Sequence, residues 1–244
     1  MSAPTLAHAF SVNDEIANEN RRLFTDAGVF VVELCGPPGG GKTALIEATA
    51  RELARRQRPL TLGAVVGNLA PDRDARRIAR YTDHCLPVPT PSLSAFQVRQ
   101  AARNLDLATL DLLLIESTGS PLAEVDLDLG QHARAAVFSI SGGDDKAAEH
   151  PYLVATSPIV VLNKTDLLPH VPFDLRAFRD DVERLNPAAL LFEIAAAHAT
   201  HMELWLSWLT ERSTATPKPR PRKPLHLTLG PAAKPATLCS QWFG

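Results

Sequence analysis

The 244-residue chain carries 25 Lys and Arg against 27 Asp and Glu, a formal net charge of −2, so no overall field draws it to nucleic acid or to an anionic membrane. Hydrophobic residues at 45% and charged residues at 21% fit one large α/β domain or two small ones with a proper core, and no apolar run reaches the ~18 residues of a membrane span. Three cysteines far apart, Cys35, Cys85 and Cys239, argue against a disulfide framework; with MSAPTLAHAF lacking the basic-then-apolar layout of an export signal, the expected compartment is the cytoplasm.

Along the chain, apolar runs alternate with amphipathic segments. NDEIANENRRLFTDA (13–27) reads as a helix with Asn13 as N-cap and a stop at Gly28, giving an N-terminal helical extension over 1–28. Strands are expected in VFVVELC (29–35), LTLGAVVG (60–67), LDLLLIES (110–117), ARAAVFSIS (133–141), PIVVLNK (158–164) and ALLFEIA (189–195). Several are apolar at every residue, which means burial on both faces and a mostly parallel central sheet flanked by helices. Helices are expected over 42–56, 72–81, 92–105, 173–185 and 200–212, so that 29–212 forms one α/β domain. Residues 213–244 hold six of the 20 prolines, several Lys and Arg and no acidic residue. That composition reads as a flexible basic tail, or as an arm docking on a partner through Trp242 and Phe243.

Between the first strand and the first long helix lies GPPGGGKT (36–43), which fits G-x-x-x-x-G-K-[ST] at Gly36, Gly41, Lys42 and Thr43. Its glycines, with Gly39 and Gly40, let backbone N–H groups turn inward around phosphates, and the helix that opens with Lys42, Thr43 and Ala44 adds its dipole. Lys42 would lie against phosphate oxygens and Thr43 would offer its hydroxyl to Mg²⁺. NKTD (163–166), at a strand end, separates GTP from ATP. The Asp166 carboxylate accepts two hydrogen bonds from guanine N1–H and its 2-amino group, a pair that adenine lacks. Asn163 and the stem of Lys164 complete the base pocket. In LDLLLIESTG (110–119) a buried strand ends in Glu116, placed to reach Mg²⁺, with Gly119 three residues on to let the backbone approach the γ-phosphate. The expected fold is therefore that of a P-loop NTPase of the G-domain type, with Lys42 and Glu116 as catalytic groups.

These residues resemble the nickel-inserting hydrogenase-maturation GTPases, the HypB family, with the urease-accessory GTPases as cousins. The resemblance runs from Asn13 to about Leu209, through NDEIANENRRLFTDAGVFVVELCGPPGGGKTALIE (13–47), DLLLIESTGSPLAEVDLDLG (111–130), SISGGDDKAAEHPYLVATSPIVVLNKTDLLP (139–169) and NPAALLFEIAA (186–196). It implies a GTPase that binds GTP or GDP with Mg²⁺, forms a nucleotide-dependent homodimer and serves a hydrogenase or other metalloenzyme maturation machinery. It also implies that Asp144 and Lys146, in GGDDK, lie at the nucleotide-dependent dimer interface, and that Ala195 and Ala196 form the loop on the base side, where the family has Ser-Ala.

The chain departs from the family in several places. Pro91 and Ser92 stand where the family has a Cys-His pair, Ala123 stands where it has a third metal ligand, and no cysteine- or histidine-rich segment precedes the first helix. Neither Pro nor Ala can ligate a metal, and a Ser hydroxyl is poor for Ni²⁺ beside thiolate or imidazole, so no transition-metal site is expected. In VVGNLAPDRDA (65–75) Asn68 replaces an Asp that helps with Mg²⁺ and the attacking water, with Asp72 or Asp74 as substitutes. An amide loses the charge and cannot act as a base. The loss of one such contact commonly costs ~2.7–4 kcal/mol of barrier, so hydrolysis is expected to be slow.

Other candidates favour packing over chemistry. His84 and Cys85, adjacent on an extended segment, point in opposite directions. His198 and His201 fall on a helix expected at the back of the fold, His132 lies near the altered switch, and Cys35 reads as a small core residue. Leu204, Trp205, Trp208 and Leu209 have core spacing. Two function classes remain: a slow GTPase maturation factor, and a non-catalytic nucleotide-binding partner or scaffold subunit. A kinase or ATPase on the same loop is disfavoured by NKTD.

Overall fold

The computed structural model describes residues 3–117 and 127–218, with side chains from residue 12 onward. Gly119, Ala123 and residues 219–244 lie outside the described residues. The strands are β1 (Phe30–Cys35), β2 (Leu62–Asn68), β3 (Cys85–Pro89), β4 (Leu112–Glu116), β5 (Ala133–Ser139), β6 (Ile159–Asn163) and β7 (Leu190–Glu193). They form one sheet in the order β3-β2-β4-β1-β5-β6-β7, and every pairing is parallel. The helices are α1 (Ala3–Ala27), α2 (Lys42–Ala54), α3 (Asp72–Ile78), α4 (Ala95–Ala102), α5 (Lys146–Glu149), α6 (Pro151–Thr156), α7 (Leu175–Leu185) and α8 (Glu203–Ala215).

The all-apolar strands are buried on both faces because alternate residues enter different layers. Phe30, Val32 and Leu34 of β1 meet Leu45 and Ile46 of α2, Ile78 of α3 and Trp205 and Leu209 of α8. Val31 instead joins Phe24 of α1 and Val98 of α4, and farther along that face Phe138 and Val160 cover Val154 of α6 and Phe178 of α7. The C-terminal ends of β1, β4, β5 and β6 therefore converge on one edge, where open parallel sheets bind ligands.

Several expectations are corrected. Asn13 does not cap α1, which begins ten residues earlier at Ala3. Its side chain serves tertiary contacts instead, donating to Asp128 O at 2.8 Å and accepting from Ala95 N at 3.0 Å. β3 was not expected: CLPVP holds two prolines, which a central strand does not tolerate but this edge strand does. The short helices α5 and α6 were likewise not expected. Leu204 is 74% exposed, because α8 begins at Glu203 and turns Trp205, Leu206 and Leu209 inward. The indole of Trp205 stacks on Trp208 at 5.9 Å and donates to Thr49 Oγ1 at 2.9 Å. Cys35 is buried, as expected. No helix among the described residues is long and apolar enough to cross a membrane.

Asn20 is the polar pin that seats α1. Fully buried, it donates to Ala95 O at 2.8 Å and Leu129 O at 3.0 Å. Asn20→Ala removes both bonds: Leu129 O loses its buried donor, worth ~1–3 kcal/mol, while Ala95 O, which stays in the α4 ladder, loses a second bond worth ~0.5–1.5 kcal/mol. The expected loss is about 2–4 kcal/mol in urea unfolding; a midpoint shift too small for even one such bond would show that α1 does not depend on it.

Candidate functional site

The loop 36–41 folds tightly against the sheet. Gly40 N donates to Pro37 O at 3.2 Å, and Gly41 then opens α2 with φ 89° while Leu45 N donates to its carbonyl at 2.9 Å. A methyl group on Gly36 or Gly40 would come within 2.4 or 2.5 Å of Val137 O, and one on Gly41 within 2.4 Å of Asn163 Nδ2. Backbone takes the space at 36 and 40 and the Asn163 side chain takes it at 41, and the first amides of α2, at Lys42, Thr43 and Ala44, face the cleft with the positive end of the helix dipole. Gly39 has no neighbour within 4 Å of a Cβ, so its φ of 81° is the constraint there.

Two charged side chains are buried in this loop's reach. Lys42 Nζ donates to Gly36 O at 2.8 Å and Pro37 O at 3.3 Å, and burial pushes its ammonium below the ordinary lysine range, with Glu116 opposing. Glu116, at the end of β4, accepts the Thr43 hydroxyl on both oxygens, at 2.8 and 2.9 Å. Burial pushes its carboxyl above the ordinary range, opposed by that hydrogen bond and by Lys42. A hydroxyl and a carboxylate side by side are hard oxygen donors of the kind Mg²⁺ takes, and a cation there would relieve the desolvation that raises Glu116. The residues fit the metal.

A cleft of about 450 Å³ opens over these groups, bordered by Gly39, Thr43, Asn68, Asp74, Arg77 and Lys164 among others. The wall from α3 is the part that the sequence reading only half supplied. Asn68 Nδ2 donates to Asp74 Oδ2 at 3.1 Å, so Asp74 faces the cleft, whereas Asp72 lines a neighbouring one. Arg77, which the sequence reading missed, also borders the cleft, held by Glu47 through Nε at 3.0 Å and Nη2 at 2.6 Å. The amphipathic spacing of α3 was legible, but nothing in it singled out which polar residue turns inward.

At the other end of the cleft, Asn163 ties three loops together. Its Nδ2 donates to Gly40 O and Gly41 O, both at 3.3 Å, and its Oδ1 accepts from Lys164 N at 2.7 Å and Ala196 N at 3.1 Å. Ala195 and Ala196 are buried. Lys164 adopts φ 60° and its ammonium donates to Ser141 Oγ at 2.9 Å. Asp166 follows one turn on, with His198 Nε2 at 3.7 Å from its Oδ2. His198, which closes a 3-10 turn over 196–198, and His201 therefore lie not on a helix at the back of the fold but in the segment before α8, His198 beside Asp166. His132 lies at the opposite end of β1, accepting from Val31 N at 3.0 Å and stacked on Phe30 at 5.5 Å. Lys146 is apart from the cleft, its ammonium paired with Glu149, while Asp144 accepts from Asp174 N at 2.7 Å. Among the described residues no three His, Cys, Asp or Glu side chains gather closely enough to hold a metal ion.

The raised Glu116 carboxyl makes a signed prediction. Such a group contributes its full stability below the ordinary carboxylate pKa of 4.5 and loses it as pH rises through the raised value. Nucleotide-free Glu116→Gln should therefore unfold at higher temperature than the parent near pH ~8, the gap closing by about pH 4. A parent more stable than the variant at the alkaline end would contradict the burial argument.

The CobW/HypB/UreG nucleotide-binding domain family matches residues 30–193, the interval from the first residue of β1 to the last of β7. Hydrogenase maturation factor HypB of Azotobacter vinelandii is 35% identical over 207 residues, which is 84% of this chain and 67% of that protein. The HypB of Escherichia coli K12 is 31% identical over 206 residues, 83% of this chain and 70% of that one. Among solved structures, HypB from Archaeoglobus fulgidus has a TM-score of 0.75 at 28% identity, over 83% of this chain and 99% of its own. HypB from Helicobacter pylori, solved in complex with nickel, has a TM-score of 0.76 at 24% identity, over 85% and 97% of the two chains, a likeness of fold. From its phosphate loop to its last strand, the chain belongs to the CobW/HypB/UreG family.

Proposed function

We propose that the chain is a guanine-nucleotide-binding maturation factor of the HypB type that hydrolyses GTP slowly and uses its nucleotide state to govern homodimerisation or docking to metalloenzyme maturation proteins. The observation that carries this reading is the meeting of three strand-end groups at one cleft: the 36–43 loop, the Thr43–Glu116 pair and Lys164 of the 163–166 turn. Residues 29–212, extended to the end of α8 at Ala215, would form the GTPase domain, with 1–28 as its helical extension and the remainder as the tail. The cytoplasm is the compartment this function needs.

In this reading the amides of Gly39, Gly41, Lys42, Thr43 and Ala44 cradle the phosphates, and the Lys42 ammonium moves from loop carbonyls to phosphate oxygens. Thr43 and Glu116 hold Mg²⁺, which supplies positive charge to the phosphates when bound. Asp166 reads the guanine edge, with the Lys164 stem and the buried Ala195–Ala196 backbone against the base. Asp74 supplies the carboxylate that Asn68 lacks, which keeps a slow reaction in place rather than abolishing it. The family's nickel ligands are replaced in this chain by Pro91, Ser92 and Ala123, so its output would be association rather than nickel carriage on that site. Asn68 also favours a second reading, in which nucleotide is a structural ligand of a non-catalytic subunit.

Calorimetric titration with Mg²⁺ should find GDP bound far more tightly than ADP, and Asp166→Ala should reduce GDP affinity by at least about 100-fold. Equal competition by ADP would end the guanine reading. In single-turnover assays Lys42→Ala should abolish conversion of GTP, and Asp74→Asn should slow it by about 100-fold, more than Asn68→Asp speeds it. GTP left unchanged for hours by the parent protein would hand the function to the binding-subunit reading.

A further inference from the structure

The segment after β2 builds a surface that nucleotide binding does not use. Arg73, Arg76 and Arg80 are exposed and, with Ala70, Asp72 and Arg77, line a cleft of about 600 Å³. Their spacing, i, i+3 and i+7, puts them in a row ~10 Å long on one side of α3 and the turn after it. Among the described residues none of these three guanidinium groups has a carboxylate within ion-pair distance, whereas Arg77 is neutralised by Glu47 at 2.6 Å. Leu69, which immediately precedes the Ala70 that lines the same cleft, is 77% exposed, the most exposed large apolar side chain among the described residues.

A guanidinium row beside an apolar side chain is complementary to carboxylates that flank an apolar residue. A free phosphate offers no apolar partner, and a nucleic-acid backbone would meet Asp72 in the same cleft. The chain's own residues 213–244 contain no Asp or Glu, so they cannot supply the anions. We propose that Leu69 and the Arg73–Arg76–Arg80 row form a docking site for an acidic segment of a partner protein that carries an apolar anchor. The site is joined to the nucleotide cleft at two points. Asn68, adjacent to Leu69, donates to Asp74 inside that cleft, and Arg77 borders both clefts. On the guanine-nucleotide reading given above, filling the nucleotide cleft alters partner affinity, and by linkage the partner alters nucleotide affinity by the same factor.

The test is fluorescence anisotropy on the full chain with a labelled twelve-residue peptide of Glu and Asp around a central Leu. Binding is expected to weaken as salt rises and to fall at least about tenfold in Arg76→Glu/Arg80→Glu and in Leu69→Ser. The milder Arg73→Gln/Arg80→Gln gives the same readout should charge reversal impair folding. Unchanged affinity in these variants, or tighter binding of an RNA oligomer or of phosphatidylserine vesicles than of the peptide, overturns the proposal. The first titrations contain no nucleotide, so they decide docking whether or not guanine binds. Repeating them with GDP and a non-hydrolysable GTP analogue tests the coupling, which equal affinities would refute.

Discussion

The side chain of Asn163 is the contact on which the site's geometry depends. One amide group, 1% exposed, donates to the carbonyls of Gly40 and Gly41 and accepts from the amides of Lys164 and Ala196. It thereby fixes the 36–41 loop, the 163–166 turn and the loop after β7 relative to one another. Each of those loops follows a different strand, so sheet register alone would leave them free to drift. The contact also explains the glycine at 41 twice over: the backbone is left-handed there, and a Cβ would collide with the amide nitrogen at 2.4 Å. Asn163→Asp would turn two donated bonds into carboxylate-to-carbonyl repulsion, a loss larger than a single hydrogen bond.

Around that scaffold the site is electrostatically unfavourable by construction. Lys42 and Glu116 are both withdrawn from water, and burial pushes each towards its neutral form. Phosphate oxygens and a divalent cation would restore the charged forms, so a buried cleft of this kind would favour such a ligand over water. Backbone conformation tells a similar story around the 163–166 turn. Lys164, Ala199 and His201 all adopt positive φ without being glycine, a cost of order 1–3 kcal/mol each that persists where surrounding contacts dictate the chain path. Two of these, Ala199 and His201, follow His198, whose imidazole approaches Asp166, so the loop before α8 is shaped by the 163–166 turn as much as by its own sequence.

What was legible in the sequence follows from where physics leaves a pattern. Strands buried on both faces announce themselves as apolar runs, and GPPGGGKT carries its backbone logic in fixed spacing. β3 was hidden because its two prolines argue against a strand unless its edge position is known. Asn13 was misread for a related reason: a residue that suits a helix cap is equally suited to bind distant backbone, and only tertiary structure decides between Asp128 and a local amide. Asp72 and Asp74 could not be separated from sequence, since one lies a helical step from the other and only the docking of α3 sets which faces the cleft. Arg77 and His198 had no motif to mark them.

Behind the cleft the strand that ends in Glu116 is held by a second polar device. The next residue, Ser117, points to the opposite face and donates to Glu33 Oε1 at 2.8 Å, while Arg134 Nε donates to Glu33 Oε2 at 2.8 Å. A buried ion pair of this kind returns little net stability, because desolvation offsets attraction. Hydrophobic residues on β1 and β5 would hold the sheet as well, but they would not specify where β4 stops. The Glu33–Arg134–Ser117 chain ties the residue after β4 to β1 and β5, and Arg134 reaches on to Leu127 O at 3.4 Å. The ionic contact beneath the strand and the Thr43–Glu116 pair above it therefore hold the end of β4 from both faces of the sheet.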